Sequence, residues 1–163
     1  MINLKVFFAL IFFSFSLFAN SPVQFKETRY IYAIDKNIFF EGFITFGKEN
    51  IIIEYIKPEQ KVLTYFEEKL SIQDQNGYQI IDTFSAPTIK YFFMIIKAIN
   101  EENNVLLDSY FDQVLKDATI ILIPKGIAAE VLNEVILKKN GKKLEYLHVK
   151  IKNGDRITIE IVD

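Results

Sequence analysis

GFITFGKENIIIEYIKPEQKVLTYFEEKLSI, residues 42–72, alternates β-branched or aromatic side chains with polar ones and breaks at Gly47-Lys48-Glu49, Pro58-Glu59 and Glu67-Glu68. Period-two alternation between turn residues is the pattern of antiparallel strands. The same reading extends outward. Strands are expected over residues 29–34, 38–46, 51–56, 61–66, 69–73 and 78–83, and again over 110–115, 118–123, 131–138, 143–151 and 156–162. Asn76-Gly77, Asn140-Gly141 and Asn153-Gly154 mark tight hairpins, because Asn-Gly tolerates the positive φ that such turns require.

One segment interrupts the strands. Pro87 precedes TIKYFFMIIKAI, residues 88–99, which has helical length, no internal Gly or Pro, and apolar residues around most of its circumference. A shorter helical piece is expected at 105–109. The chain thus reads as a mainly β, α+β domain: one long, curved antiparallel sheet with an apolar helix inserted midway against its concave face. Residues 38–46 are apolar on both faces, with Ile38, Phe40, Ile44 and Phe46 on one side and Phe39 and Phe43 on the other beside Glu41 and Thr45. A sheet with one solvated face alternates more cleanly, so either the strand is covered twice or the sheet encloses an apolar space.

Ahead of the strands, MINLKVFFALIFFSFSLFA (residues 1–19) sets Lys5 before an apolar run from Val6 to Phe18 that closes on Ala19. A charged start, a short apolar stretch and a small-residue end are the features of a cleavable export signal, whereas a membrane span needs about 20 apolar residues. Residues 20–163 are then expected as a single exported domain, soluble in the periplasm. With no cysteine in the chain, there is no disulfide and no site for a cysteine-linked lipid anchor. Of 19 basic and 21 acidic side chains, only Lys5 falls in the first nineteen residues, so the remainder carries a charge of about −3. That balance excludes the concentrated positive surface of a nucleic-acid binder.

Catalytic chemistry finds little to work with. His148 is the only histidine and reads as an ordinary strand residue, and the six glycines form no phosphate loop. Glu67-Glu68, Glu101-Glu102, Asp112 and Asp117 are the candidate carboxylates of a hydrolase, but adjacent strand residues point to opposite faces, and Glu67-Glu68 reads better as a solvated turn. The chain is therefore expected not to be an enzyme and to need no metal or cofactor. In the C-terminal hairpins Lys138, Lys139, Lys142, Lys143, Lys150, Lys152 and Arg156 outnumber the acids. They read as solvation of hairpins that discourages edge pairing, with a docking surface for anionic lipid or an acidic partner as the alternative.

Residues 42–72 resemble the outer-membrane lipoprotein carrier family, the LolA-type periplasmic chaperones, through Gly42, Tyr55 and Pro58. The likeness runs on through Pro87 before the helix, Leu122-Ile123-Pro124-Lys125 and the terminal hairpins. Lys48-Glu49 stands where the family has an Arg-Pro turn, Ile51 and Ile53 replace its aromatic pair, and its N-terminal amphipathic helix is missing or very short. The resemblance implies an incomplete β-barrel covered by a helical lid that opens to accept acyl chains, with Lys48 as the polar contact to cargo or lid. Ile44, Phe46, Ile51, Ile53, Tyr55, Leu63 and Tyr65 would form the sheet wall of the cavity, against Phe92, Phe93 and Ile96 of the helix. It further implies a monomeric carrier of acylated lipoproteins, with an inner-membrane lipoprotein-releasing transporter as donor and an outer-membrane acceptor. The alternative on the same scaffold is a lipid-binding or envelope-stress sensor module.

Overall fold

The computed structural model describes residues 21–141 and 143–162; the segment expected to direct export lies outside them. The first half of the chain forms β1 (Val23–Ile31), β2 (Lys36–Phe46), β3 (Asn50–Lys57), β4 (Lys61–Phe66), β5 (Lys69–Asp74) and β6 (Gly77–Asp82). Helices α1 (Pro87–Asn100) and α2 (Asn104–Tyr110) follow. The second half is β7 (Phe111–Lys116), β8 (Thr119–Pro124), the single turn α3 (Ala128–Val131), β9 (Leu132–Asn140), β10 (Lys143–Ile151) and β11 (Arg156–Val162). The three Asn-Gly turns fall at the β5–β6, β9–β10 and β10–β11 connections, with glycine φ of 124°, 60° and 94°.

All eleven strands belong to one antiparallel sheet in the order β6-β5-β4-β3-β2-β1-β11-β10-β9-β8-β7. Two meanders are joined at the centre, where β1 pairs with β2 on one side and with β11 on the other. The sheet is not closed: β6 and β7 are its free edges, and α1 and α2 carry the chain from one to the other. The first strand departs from the sequence expectation of 29–34. It starts at Val23 and ends at Ile31, and residues 32–34 form a 3₁₀ turn. In place of an N-terminal helix there is a strand, because Phe25, Glu27 and Arg29 share a face that the core requires.

The sheet wraps around α1. Phe93 stacks on Tyr65 of β4 with ring centroids 4.7 Å apart, while Tyr91, two residues earlier, meets Phe111 of β7 at 6.5 Å. Those strands are eight steps apart in the sheet, about 38 Å if it were flat, against a helix roughly 10–12 Å across. Only strong curvature brings both to one helix. The inner face so formed carries Phe25, Ile44, Ile53, Ile159, Leu147, Val135 and Leu122, which join Tyr91–Ile96, Ala98 and Ile99 of α1 in a single core. A helix apolar all round is stable in water only when enclosed in this way.

Gly42 permits one close approach in this wall. The β2–β3 register slips between Glu41 and Gly42, and a Cβ on Gly42 would lie 2.2 Å from the Glu54 carbonyl oxygen and 3.1 Å from the Phe25 ring. Gly42 sits in the ladder between Phe25 and Tyr55, so its missing side chain lets those rings meet edge to face at 5.6 Å across an intervening strand. Gly42→Ala is expected to destabilise the fold by about 1–3 kcal/mol. The effect would be read as a lower urea midpoint with unchanged slope.

Candidate functional site

Between the inner face and the first turns of α1 lies a cavity of about 250 Å³. Leu63 of β4, Leu70 and Ile72 of β5, and Ile89, Phe92 and Phe93 of α1 make its apolar wall. Phe40 of β2 and Ile157 of β11 flank it, and Pro58, Glu59, Lys61 and Thr88 complete it. In strand register the polar residues lie towards one end: Arg29 pairs with Ile38 and Ile157, and Tyr55 with Lys61, whereas Leu63–Ile72 and then Leu70 follow in the other direction.

Three side chains form a polar cluster on the wall, with Glu27 and Tyr55 buried and Arg29 partly exposed. Glu27 is 2% exposed. The Tyr55 hydroxyl donates to Glu27 Oε2 at 2.7 Å and accepts from Arg29 Nη2 at 2.9 Å, while Arg29 Nε donates to Glu27 Oε1. Glu27 and Arg29 sit two apart on β1 and so share its inner face; Tyr55 reaches them from β3 over the space left by Gly42. The Arg29 guanidinium lies over the Phe40 ring, 4.4 Å from its centroid, a cation–π contact that fixes its plane. Burial pushes the Tyr55 pKa far up, and the neighbouring Glu27 carboxylate adds to the rise, so the hydroxyl stays a donor. Burial pulls the Arg29 pKa down, but Glu27 and Tyr55 outweigh it and leave it raised. A buried charge pair of this kind is tolerable only when its hydrogen bonds are complete, and no buried side-chain nitrogen or oxygen lacks a partner among the described residues.

Of the residues expected at an acyl-chain wall, Tyr55, Leu63, Phe92 and Phe93 line this cavity. Ile44, Ile53 and Ile96 are packed in the core, and Phe46, Ile51 and Tyr65 border a second cleft of only about 10 Å³, at the margin of what holds one water. Lys48 lies beside that cleft, in the β2–β3 turn near Lys97 and Glu101. Its end of β2 is eight residues from the Ile38 that pairs with Arg29, about 26 Å along the strand. Lys48 does not line the cavity, whose wall carries Arg29 and Lys61 as its cations. A signal for Arg29 existed: Phe25-x-Glu27-x-Arg29 puts opposite charges at alternate positions on an apolar strand face.

The other candidate groups stay apart. Glu67 and Glu68 form the β4–β5 turn with φ of 47° and 59°, Asp112 pairs with Lys125 at 3.0 Å, and Asp117 occupies the β7–β8 turn. Among the described residues no group of three or more His, Asp or Glu could hold a metal. Two hairpin lysines are paired with acids, Lys150 with Glu134 at 2.6 Å and Lys138 with Glu145 at 3.3 Å. His148 contacts Thr158 Oγ1 through Nδ1 at 2.8 Å. Burial, then Lys150 and Arg156, lower its pKa, with Glu134 opposing.

No protein-family profile matches the chain, and no curated protein matches it. Among solved structures it is similar to a LolA superfamily protein from Nitrosomonas europaea. The two share 8% identity at a TM-score of 0.38, over 88% of this chain and 84% of that one.

Tyr55→Phe leaves Glu27 and Arg29 each short of one buried hydrogen bond and is expected to cost about 1–3 kcal/mol in urea unfolding. His148, with a folded pKa below its unfolded value of about 6.5, binds a proton more readily once unfolded. Its contribution to stability is therefore complete above that value and lost as pH falls through the folded pKa. The pH dependence of stability across this window should flatten in His148→Asn, as measured by thermal melts between pH 7.5 and 5.

Proposed function

We propose that this protein is a periplasmic carrier. It would hold acyl chains of lipoproteins between α1 and the inner face of the sheet, accepting them from an inner-membrane lipoprotein-releasing transporter and passing them to an outer-membrane acceptor, without catalysis. The observation that carries this reading is the cavity itself: an apolar wall shared by sheet and helix, with its polar groups gathered at one end. The export-type segment at residues 1–19 and the resemblance of residues 42–72 to lipoprotein carriers support it.

Magnitudes shape the proposal. At roughly 30 Å³ for a water-sized unit, 250 Å³ holds about eight methylene-sized groups. At about 0.8 kcal/mol each, these offer roughly 6–7 kcal/mol gross. That is one chain segment, so a multiply acylated anchor requires α1 to yield as a lid, exchanging helix-to-sheet contacts for lipid-to-sheet contacts at near balance.

Leu63→Asp is the informative substitution, because Leu63 lines the cavity and is partly exposed, whereas Ile53 is fully buried and a charge there would disrupt the core. Leu63→Asp is expected to weaken binding of a fluorescent acyl probe tenfold or more, and Ile80→Asp on the outer face to leave it unchanged. Equal behaviour of the two variants would remove the cavity assignment. Incubation of the protein with spheroplasts, followed by native mass spectrometry, should yield a one-to-one complex with a lipoprotein. Recovery of free lipid alone, or of a protein partner without lipid, would favour the sensor reading.

A further inference from the structure

The cavity wall holds a donor, Arg29, that is fixed by its neighbours and whose capacity is not spent. A guanidinium carries five N–H groups. Arg29 uses Nε on Glu27 and one Nη2 hydrogen on Tyr55, and the others meet no acceptor among the described residues. The Tyr55 hydroxyl already donates once and accepts once, and Glu27 receives both its neighbours. Unlike Lys61, which no neighbour holds among the described residues, Arg29 thus offers a fixed donor to a ligand acceptor, and its side chain is 36% exposed, so it can be reached.

Resting on the acyl-chain reading above, we infer that Arg29 is the head-group site of the cavity. It would take an uncharged acceptor, the ester or amide carbonyl at the head of an acyl chain, in preference to a phosphate or a free carboxylate. The charge arrangement decides between these. Glu27 bonds directly to Arg29 and cancels it, and Glu59 and Lys61 on the same wall are of opposite sign, so the lining has no net charge. An anion would surrender its hydration to meet a guanidinium already compensated, a poor exchange in an apolar site. A carbonyl gives up far less and still presents lone pairs to the Nη hydrogens. The donor is also held in advance: Glu27, Tyr55 and the Phe40 ring fix the guanidinium, so little side-chain freedom is lost on binding. The register supports the same orientation, with Arg29 towards one end of the inner face and Leu63, Ile72 and Leu70 continuing away from it for the hydrocarbon.

The test varies the ligand before the protein. Titration calorimetry of the whole protein, below micelle-forming concentrations, compares 1-decanoylglycerol with its ether analogue 1-decylglycerol, and both with decanoate and decyl phosphate. The ester is expected to bind about tenfold tighter than the ether, the two anions no tighter than the ester, and ester affinity to be insensitive to salt. In the paired variant Glu27→Leu with Arg29→Met, which leaves no lone charge buried, the ester-to-ether ratio should fall to about one. Equal binding of ester and ether by the unaltered protein would overturn the head-group assignment and leave the acyl cavity standing. Tightest binding of decanoate or decyl phosphate, weakening with salt, would replace the carbonyl by an anion. Binding of none of the four would overturn the acyl-chain reading as well.

Discussion

The pairing of β1 with β11 is the constraint on which the molecule depends. Without it the chain would be two meanders, β1–β6 and β7–β11, each with an apolar face and neither able to surround a helix. With it, one sheet of eleven strands curls far enough for β4 and β7 to touch the same helix. β1 is the sixth strand of eleven, hydrogen-bonded on both sides, and its inner face is enclosed. Its charged residues at 27 and 29 could not be accommodated there singly. They are accommodated as a pair because each partners the other and both partner Tyr55. The strand that joins the halves is therefore also the strand that brings polar groups to the cavity.

Gly42 ties these two roles together. It lies between Phe25 and Tyr55 in the ladder, and the absence of a Cβ lets Phe25 fold over it while Tyr55 reaches past it towards Glu27. A side chain at position 42 would press on the Glu54 carbonyl and on the ring that seals this part of the core. Glycine in a strand ordinarily weakens it; here the backbone irregularity of β2 is what allows a tyrosine two strands away to complete a buried charge pair.

Most strands were legible because each carries its own punctuation: Asn76-Gly77, Asn140-Gly141 and Asn153-Gly154 close hairpins whose flanking runs alternate cleanly. β1 was only partly legible, because Lys26-Glu27-Thr28-Arg29 is a run of polar residues, and only the central position of the strand shows that Glu27 and Arg29 face inward. The cavity wall was legible in kind and not in membership. Ile51, Ile53 and Leu63 obey the same alternation, and nothing in a single strand distinguishes a side chain that lines a void from one that α1 covers. That distinction is made by where Phe92 and Phe93 land, which is a tertiary fact. Lys48 shares a cleft with Lys97 and Glu101 at the C-terminal end of α1, at the opposite end of β2 from Ile38, the partner of Arg29.

The cavity coincides with the weakest part of the helix-to-sheet contact. From Tyr91 to Ile96 every residue of α1 is buried, but Thr88, Ile89 and Lys90 in its first turn are only partly so, and Pro87 is exposed. That turn is tied down by Lys90, which faces Glu68 at 3.4 Å and the exposed Phe84 ring at 4.1 Å, contacts of a kind worth about 1 kcal/mol or less near solvent. Stability is not spread evenly over a fold, and segments with few buried apolar contacts open at the lowest cost. On the carrier reading this gives the opening motion a direction. The first turn of α1 would part from the β4–β5 turn to which Lys90 ties it, while the Tyr65–Phe93 stack and the aromatic contacts of Tyr91 hold the middle of the helix in the sheet. A lid hinged in this way would leave the hydrocarbon of a chain against Leu63, Ile72 and Leu70 and its polar head beside Arg29.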